Sequence, residues 1–310
     1  MNIRMKSFLI KYKSLLALIV LCLVISIIQP RFLTISNIST VLTQVSMNAI
    51  IAIGMTFVIL TGGIDLSVGS IIAITGAVAA SILTSGGSAF IAVFAAILIG
   101  GAIGYLNGFF VARARIQAFI VTLATMTIFR GVTYVYTGGN PISGLGKAFN
   151  VIGNKKILGI PVPVLIMIVV FAIGAYVLTQ TRFGRYVYAI GGNEDSSRLS
   201  GINTKSVKNL VYMISGIAAA IAGIIVTSRI GSASPNAGSS YELDAIAAVV
   251  LGGTSLSGGE GRIFGTIIGA LIIGVLNNSL NLLNVSTFYQ SIVKGAVILL
   301  AVLIDKKNKS

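Results

Sequence analysis

Apolar runs long enough to cross a bilayer recur from one end of this chain to the other, and few charges interrupt them. SLLALIVLCLVISIIQ at 14–29 is the first. About twenty such residues in a helix cover the ~30 Å of hydrocarbon in a membrane. Ten candidate spans can be drawn, at about 14–29, 41–60, 67–84, 89–112, 117–136, 162–179, 209–228, 242–254, 264–283 and 288–304. In lipid every backbone polar group must be satisfied internally, so apolar spans of this length are read as helices. The expected fold is all-α: one polytopic membrane helical bundle over residues 1–310, with about ten transmembrane helices, some of them broken or re-entrant. The eighth span is the shortest and is the candidate for a broken helix.

Composition agrees. The chain is 55% hydrophobic and 9% charged, whereas soluble domains carry about 25% charged residues. Its net charge of +15 raises the question of nucleic acid, but the cations cluster in short segments between apolar runs rather than along a basic face interleaved with aromatics. That distribution follows the positive-inside rule. With the N-terminus inside, fifteen of the twenty-two cationic residues fall on the cytoplasmic side and five outside, while Arg130 and Lys294 fall within spans. Both termini are therefore expected in the cytoplasm, and no nucleic-acid partner is expected. Arg4, Lys6, Lys11 and Lys13 ahead of the first run imitate a secretory signal, but the run is long and lacks a small-x-small site. It is expected to persist as the first helix. The single cysteine, Cys22, permits no internal disulfide.

The chemistry available is sparse. There is no histidine, and the seven acids are Asp65, Glu194, Asp195, Glu242, Asp244, Glu260 and Asp305. None pair at the helical spacing that metal ligands on one face would use, so an intramembrane enzyme or metal site is disfavoured. The nearest approach to a phosphate loop, PISGLGKA at 141–148, lacks the first glycine and the Ser or Thr that would hold magnesium. If ATP drives this protein, another chain binds the ATP and its Mg. Asp65 is the one serious candidate for ion or proton coupling, and in Asp65-Leu66-Ser67 it is read first as a cap for the third helix. Ser239 and Glu242 match a capping box. Arg130 and Lys294 are costly in a span unless they snorkel or line a wet route.

Two patterns concern the backbone. Gly100, Gly104 and Gly108 share one helical stripe, as do Gly265 and Gly269, which predicts close helix packing, with a dimer contact as the lesser reading. GGIDLSVG at 62–69 is echoed by GGTSLSGG at 252–259. Paired glycine-interrupted segments in two halves point to a transport route, and ordinary tight turns are the competing reading. The echo nominates Asp65, Ser67, Ser255 and Ser257 as lining a translocation pathway. A lining of small polar groups with little charge suits a neutral, hydroxyl-rich solute.

The longest polar loop, 182–208, has internal design. In GGNEDSSRLSGIN, Asn193 is a good N-cap, Glu194 and Asp195 complement the helix dipole in the first turn, Arg198 projects from the last, and Gly201 stands at the terminating left-handed position. The segment encodes a helix of about two turns, too short to persist unsupported.

FGRYVYAIGGNEDSSRLSGI, GMTFVILTGGIDLSVGSIIAITGAVAAS and YELDAIAAVVLGGTSLSGGEGRIFGTIIGAL resemble the permease subunit of bacterial ABC importers for monosaccharides, and the likeness spans essentially the whole chain. The resemblance implies a homodimer in the bacterial cytoplasmic membrane, carrying ribose or a related monosaccharide. It further implies an ATPase with two nucleotide-binding cassettes and an extracytoplasmic sugar-binding protein as partners. In such importers a cytoplasmic coupling helix seats in the ATPase. Here that helix is 193–201, with Asn193, Glu194, Asp195, Arg198 and Gly201 as its contact and terminating residues. An autonomous ion- or proton-coupled sugar transporter is the alternative, with Asp65 and the echo as its coupling site.

Overall fold

The computed structural model describes residues 13–307. Arg4, Lys6, Lys11 and Lys309, counted above among the cytoplasmic charges, lie outside the described residues, as do the side chains of Lys13, Asp305, Lys306 and Lys307. The described residues form thirteen α-helices: α1 (Lys13–Ile28), α2 (Ile35–Leu60), α3 (Val68–Thr84), α4 (Ala89–Ala112), α5 (Ala118–Thr137), α6 (Lys147–Asn154), α7 (Val162–Gln180), α8 (Arg182–Gly192), α9 (Glu194–Leu199), α10 (Thr204–Ile230), α11 (Tyr241–Leu251), α12 (Ile263–Leu282) and α13 (Thr287–Lys307). A 3₁₀ turn, Pro30–Leu33, joins α1 to α2. Four two-residue strands form two small antiparallel pairs, β1 (Ile142–Ser143) with β4 (Ser232–Ala233) and β2 (Lys156–Ile157) with β3 (Ile160–Pro161).

Six helices, α2, α4, α5, α7, α10 and α12, are long and apolar enough to cross a membrane, and α1, α3 and α13 carry shorter apolar stretches. The eighth expected span does not reach across. The α11 helix has only 11 residues, about 16 Å at 1.5 Å per residue, and its predicted last residues, 252–254, have left the helix. A non-helical stretch, 231–240, most of it turns, precedes it, so this is the broken segment.

Burial sorts the helices. Every residue of α2 from Val45 to Leu60 is buried, and α10 is buried along most of its length, whereas most residues of α4, α5 and α7 are only partly covered or exposed. The glycine stripes explain how α10 and α11 are packed closely without a hydrophobic drive. A Cβ at Gly100, Gly104 or Gly108 on α4 would collide with α10, at Gly216, Tyr212 and Asn209 respectively. One at Gly265 or Gly269 on α12 would strike Gly252 and Ala248 at the end of α11. Both stripes are therefore spent on packing within one chain, and neither is free for a dimer contact.

The capping box is not formed. The hydroxyl of Ser239 turns back to the Asn236 carbonyl at 2.9 Å, Ser240 at the N-cap is left-handed (φ +70°), and no side chain caps α11. The strained turn delivers the chain into the helix one residue later than a box would need. Arg130 and Lys294 find partners distant in sequence. Arg130 Nη1 donates to the carbonyls of Pro235 (2.6 Å) and Ala237 (2.8 Å), and Lys294 lies 3.0 Å from the buried Asp244 carboxylate.

Candidate functional site: the α8–α9 rod and the loops beneath it

Helix α8 opens the polar segment. Thr181 caps it by accepting the Gly184 N–H at 3.2 Å. Phe183, Val187 and Ile190 recur at i, i+4 and i+7, so one stripe turns inward while Arg182, Arg185 and Tyr186 face out. Phe183 stacks on Phe57 of α2, with ring centroids 6.4 Å apart. In the sequence this stretch reads only as part of the polar loop 182–208, without a helix of its own. Its apolar spacing was visible, but the glycines at 184, 191 and 192 masked it.

The following helix, α9, is built as its sequence demands. Asn193 Oδ1 accepts the Ser196 N–H at 2.8 Å. Arg198 reaches back to Asp195 at 2.9 Å, and Glu194 pairs with Lys208 on α10. Gly201 adopts φ +85°, and the N–H groups of Gly201 and Ile202 bond the carbonyls of Arg198 and Ser197 at 3.0 and 3.1 Å, a terminator that satisfies the last carbonyls. Asn203 then caps α10 through the Ser206 N–H at 3.1 Å. Of the helix itself only Ser197 is buried, while Leu199 is 85% exposed.

Beneath the rod lie the two echo segments. Both are turns, and they share local chemistry. Asp65 Oδ1 accepts the Ser67 N–H at 3.0 Å, and Ser255 Oγ accepts the Ser257 N–H at 3.2 Å. Asp65 therefore braces the turn before α3 rather than capping the helix's first free N–H groups, since α3 begins at Val68 with Ser67 at its N-cap. The two segments also touch: the Gly259 N–H donates to the carbonyl of Leu60, at the end of α2, at 2.9 Å. Gly191 of α8 sits where they meet, and a Cβ there would collide with the Leu60 carbonyl and Gly259. Tyr188 Oη donates to the Gly261 carbonyl at 2.9 Å. The rod thus rests on both loops at once.

A cavity of about 650 Å³ opens beside it, between the first echo loop (Gly62, Gly63), the α4–α5 connection (Arg115) and α10 (Lys208, Tyr212). Glu194, Asp195 and Arg198 face this cavity, whereas Asn193 and Gly201 only terminate their helix. None of Asp65, Ser67, Ser255 and Ser257 lines it. Asp65 and Ser67 are fully buried: Ser215 of α10 donates to Asp65 Oδ2 at 2.7 Å, and Asn107 of α4 donates to Ser67 Oγ at 2.8 Å. Ser255 is also buried, and Ser257 is exposed at the surface. Lys208, Leu199 and Gly191 were not singled out from sequence, because nothing local marks them.

Residues 37–302 match the family model described as a branched-chain amino acid transport system permease component. The chain belongs to this permease family. Relatives of this permease include the ribose import permease protein of Escherichia coli (strain K12), 56% identical over 308 residues, covering 98% of this chain and 96% of the relative. The ribose import permease protein of Bacillus subtilis (strain 168) is 54% identical, covering 95% and 92%. The D-allose transport system permease protein of E. coli K12 is 42% identical, covering 96% and 91%. No solved structure matches the permease. It is a transport component rather than an enzyme.

Proposed function

We propose that this chain is the membrane-spanning subunit of an ATP-driven importer for ribose or a closely related monosaccharide. It works with a second copy of itself, an ATPase bearing two cassettes that bind ATP and Mg, and an extracytoplasmic binding protein that delivers the sugar. Both termini and the α8–α9 segment lie in the cytoplasm. The observation that carries the reading is the rod's placement: α9 is capped at both ends and open to a partner, while α8 bears on the two loops that end α2 and α11. Displacing the rod when ATP closes the ATPase would therefore move both loops together. A partner biases the two states of a transporter only through unequal affinity for them, and an exposed rod joined to buried loops supplies that inequality. Asn193 and Gly201 keep the rod intact. Glu194, Asp195, Arg198 and Leu199 meet the ATPase.

Uptake of labelled ribose into proteoliposomes carrying the whole complex tests the reading. ATP-dependent uptake is expected, with loss of both uptake and ATPase association when residues 193–201 are replaced by a Gly/Ser linker. Uptake without the ATPase, or driven by an ion gradient alone, would establish the secondary-transporter alternative. The bonding of Asp65 weighs against that alternative, because both of its oxygens are already engaged inside the chain.

A further inference from the structure

Exposed side chains on the long helices are mostly apolar, as lipid requires. Phe94 and Leu98 on α4 and Ile168 and Ile173 on α7 are examples. Helix α5 departs from this. Ile128, Val132 and Val135 expose an apolar face, but Thr127, Arg130 and Tyr134, at i, i+3 and i+7, form a second stripe that is polar and open or half open. Arg130 stands about 18 Å along α5 from Ala118 at 1.5 Å per residue, well inside the span.

Against this stripe runs the non-helical stretch 231–240, most of it turns. Arg130 holds the Pro235 and Ala237 carbonyls, and Tyr134 donates to Asn236 Oδ1. At its far end Gly238 lies so close to Gly69, near the start of α3, that a Cβ on either would collide with the other's carbonyl. Asn236, Ser239 and Ser240 are exposed, and the Ser239 hydroxyl donates to the carbonyl of the same Asn236 whose side chain Tyr134 bonds. Irregular backbone at membrane depth is tolerated only when buried in protein or lining a wet cavity, and these residues are not buried in this chain.

We infer that Tyr134, Asn236, Ser239 and Ser240, braced by Arg130, form the sugar-facing wall of the translocation pathway. The chemistry fits a neutral polyol: an amide, hydroxyls that both donate and accept, and an aromatic face, with the one cation already committed to carbonyls. The inference rests on the ribose-permease reading above and supplies the sugar contacts that the echo segments do not.

The test uses the full complex in proteoliposomes, in a Cys22→Ser background. Ser239→Cys is expected to react with a membrane-impermeant charged thiol reagent, and Leu98→Cys on the apolar face of α4 is not. Ser239→Trp is expected to lower ribose uptake at least ~10-fold while the complex assembles and binding-protein-stimulated ATP hydrolysis persists, as a blocked route predicts. Asn236→Ala is expected to change the ratio of ribose to 2-deoxyribose uptake by about 3-fold or more, because a group that bonds a substrate hydroxyl discriminates against its loss. A purely structural role would depress both sugars alike. An unreactive Ser239→Cys thiol, or full uptake through Ser239→Trp, overturns the inference. A Ser239→Trp subunit that fails to pair with its second copy also overturns it, by making this face a subunit contact. A wild-type complex that moves no ribose overturns only the ribose reading, since thiol reactivity needs no sugar.

Discussion

The two echo loops share five of eight residues and a bend braced by an oxygen side chain two residues back, yet they are held differently. In the first, Asp65 and Ser67 are fully buried and tied to Ser215 of α10 and Asn107 of α4. In the second, Ser257 is exposed, and the Ser255 N–H bonds the carbonyl of the nearby, exposed Glu260 at 2.9 Å. A shared motif therefore fixes a local bend, while the neighbours decide how the bend is anchored. The first loop is fastened by its side chains to α4 and α10, and the second meets α2 and α8 through its backbone at Gly259 and Gly261.

The comparison is broken or sharpened by substitution. The largest effect is expected at Asp65. Asp65→Ala strands the Ser67 and Ser215 donors in the interior and should cost about 3 kcal/mol or more, read as a large drop in thermal stability in detergent. A variant as stable as wild type would erase the difference between the loops. Gly191→Ala comes next, since it forces backbone apart where both loops meet α8. About 1–3 kcal/mol of overpacking strain is expected, together with ATP hydrolysis that no longer tracks ribose uptake. Unchanged coupling ratios would show that the rod does not act through this contact. Asn193→Ala removes a cap worth about 1 kcal/mol, and weaker ATPase association on pull-down is its expected sign. Smallest is Glu194→Gln, whose partly exposed pair with Lys208 is worth about 0.2–1 kcal/mol to stability. A melting temperature that falls as far as for Asp65→Ala would reverse the ranking.

Much of this was legible before any coordinates. The helix ends fall within a few residues of the apolar runs, because hydropathy over ~20 residues is a strong signal in a chain that must satisfy its backbone in lipid. The α9 helix was readable down to its caps, since capping depends on side chains within three or four positions. Three features were not. Helix α8 hid behind its glycines. The Ser239–Glu242 box failed because Gly238 must lie against Gly69, and that contact sets the entry angle into α11. The bond from Tyr134 to Asn236 spans 102 residues, and no local pattern foretells it.

The sequence by itself determined that this is a helical membrane protein, where its membrane-length helices run, and that a capped polar helix interrupts them. Those properties follow from spacing and composition over one or two turns, or one span, of a single segment. Only the tertiary structure decided that both glycine stripes face inward, that one echo loop is held by side chains of α4 and α10 and the other by backbone contacts to α2 and α8, and that the rod bears on both. The reason is physical: contacts between backbones, and bonds between side chains a hundred residues apart, depend on how helices are brought together, and no segment carries that information alone.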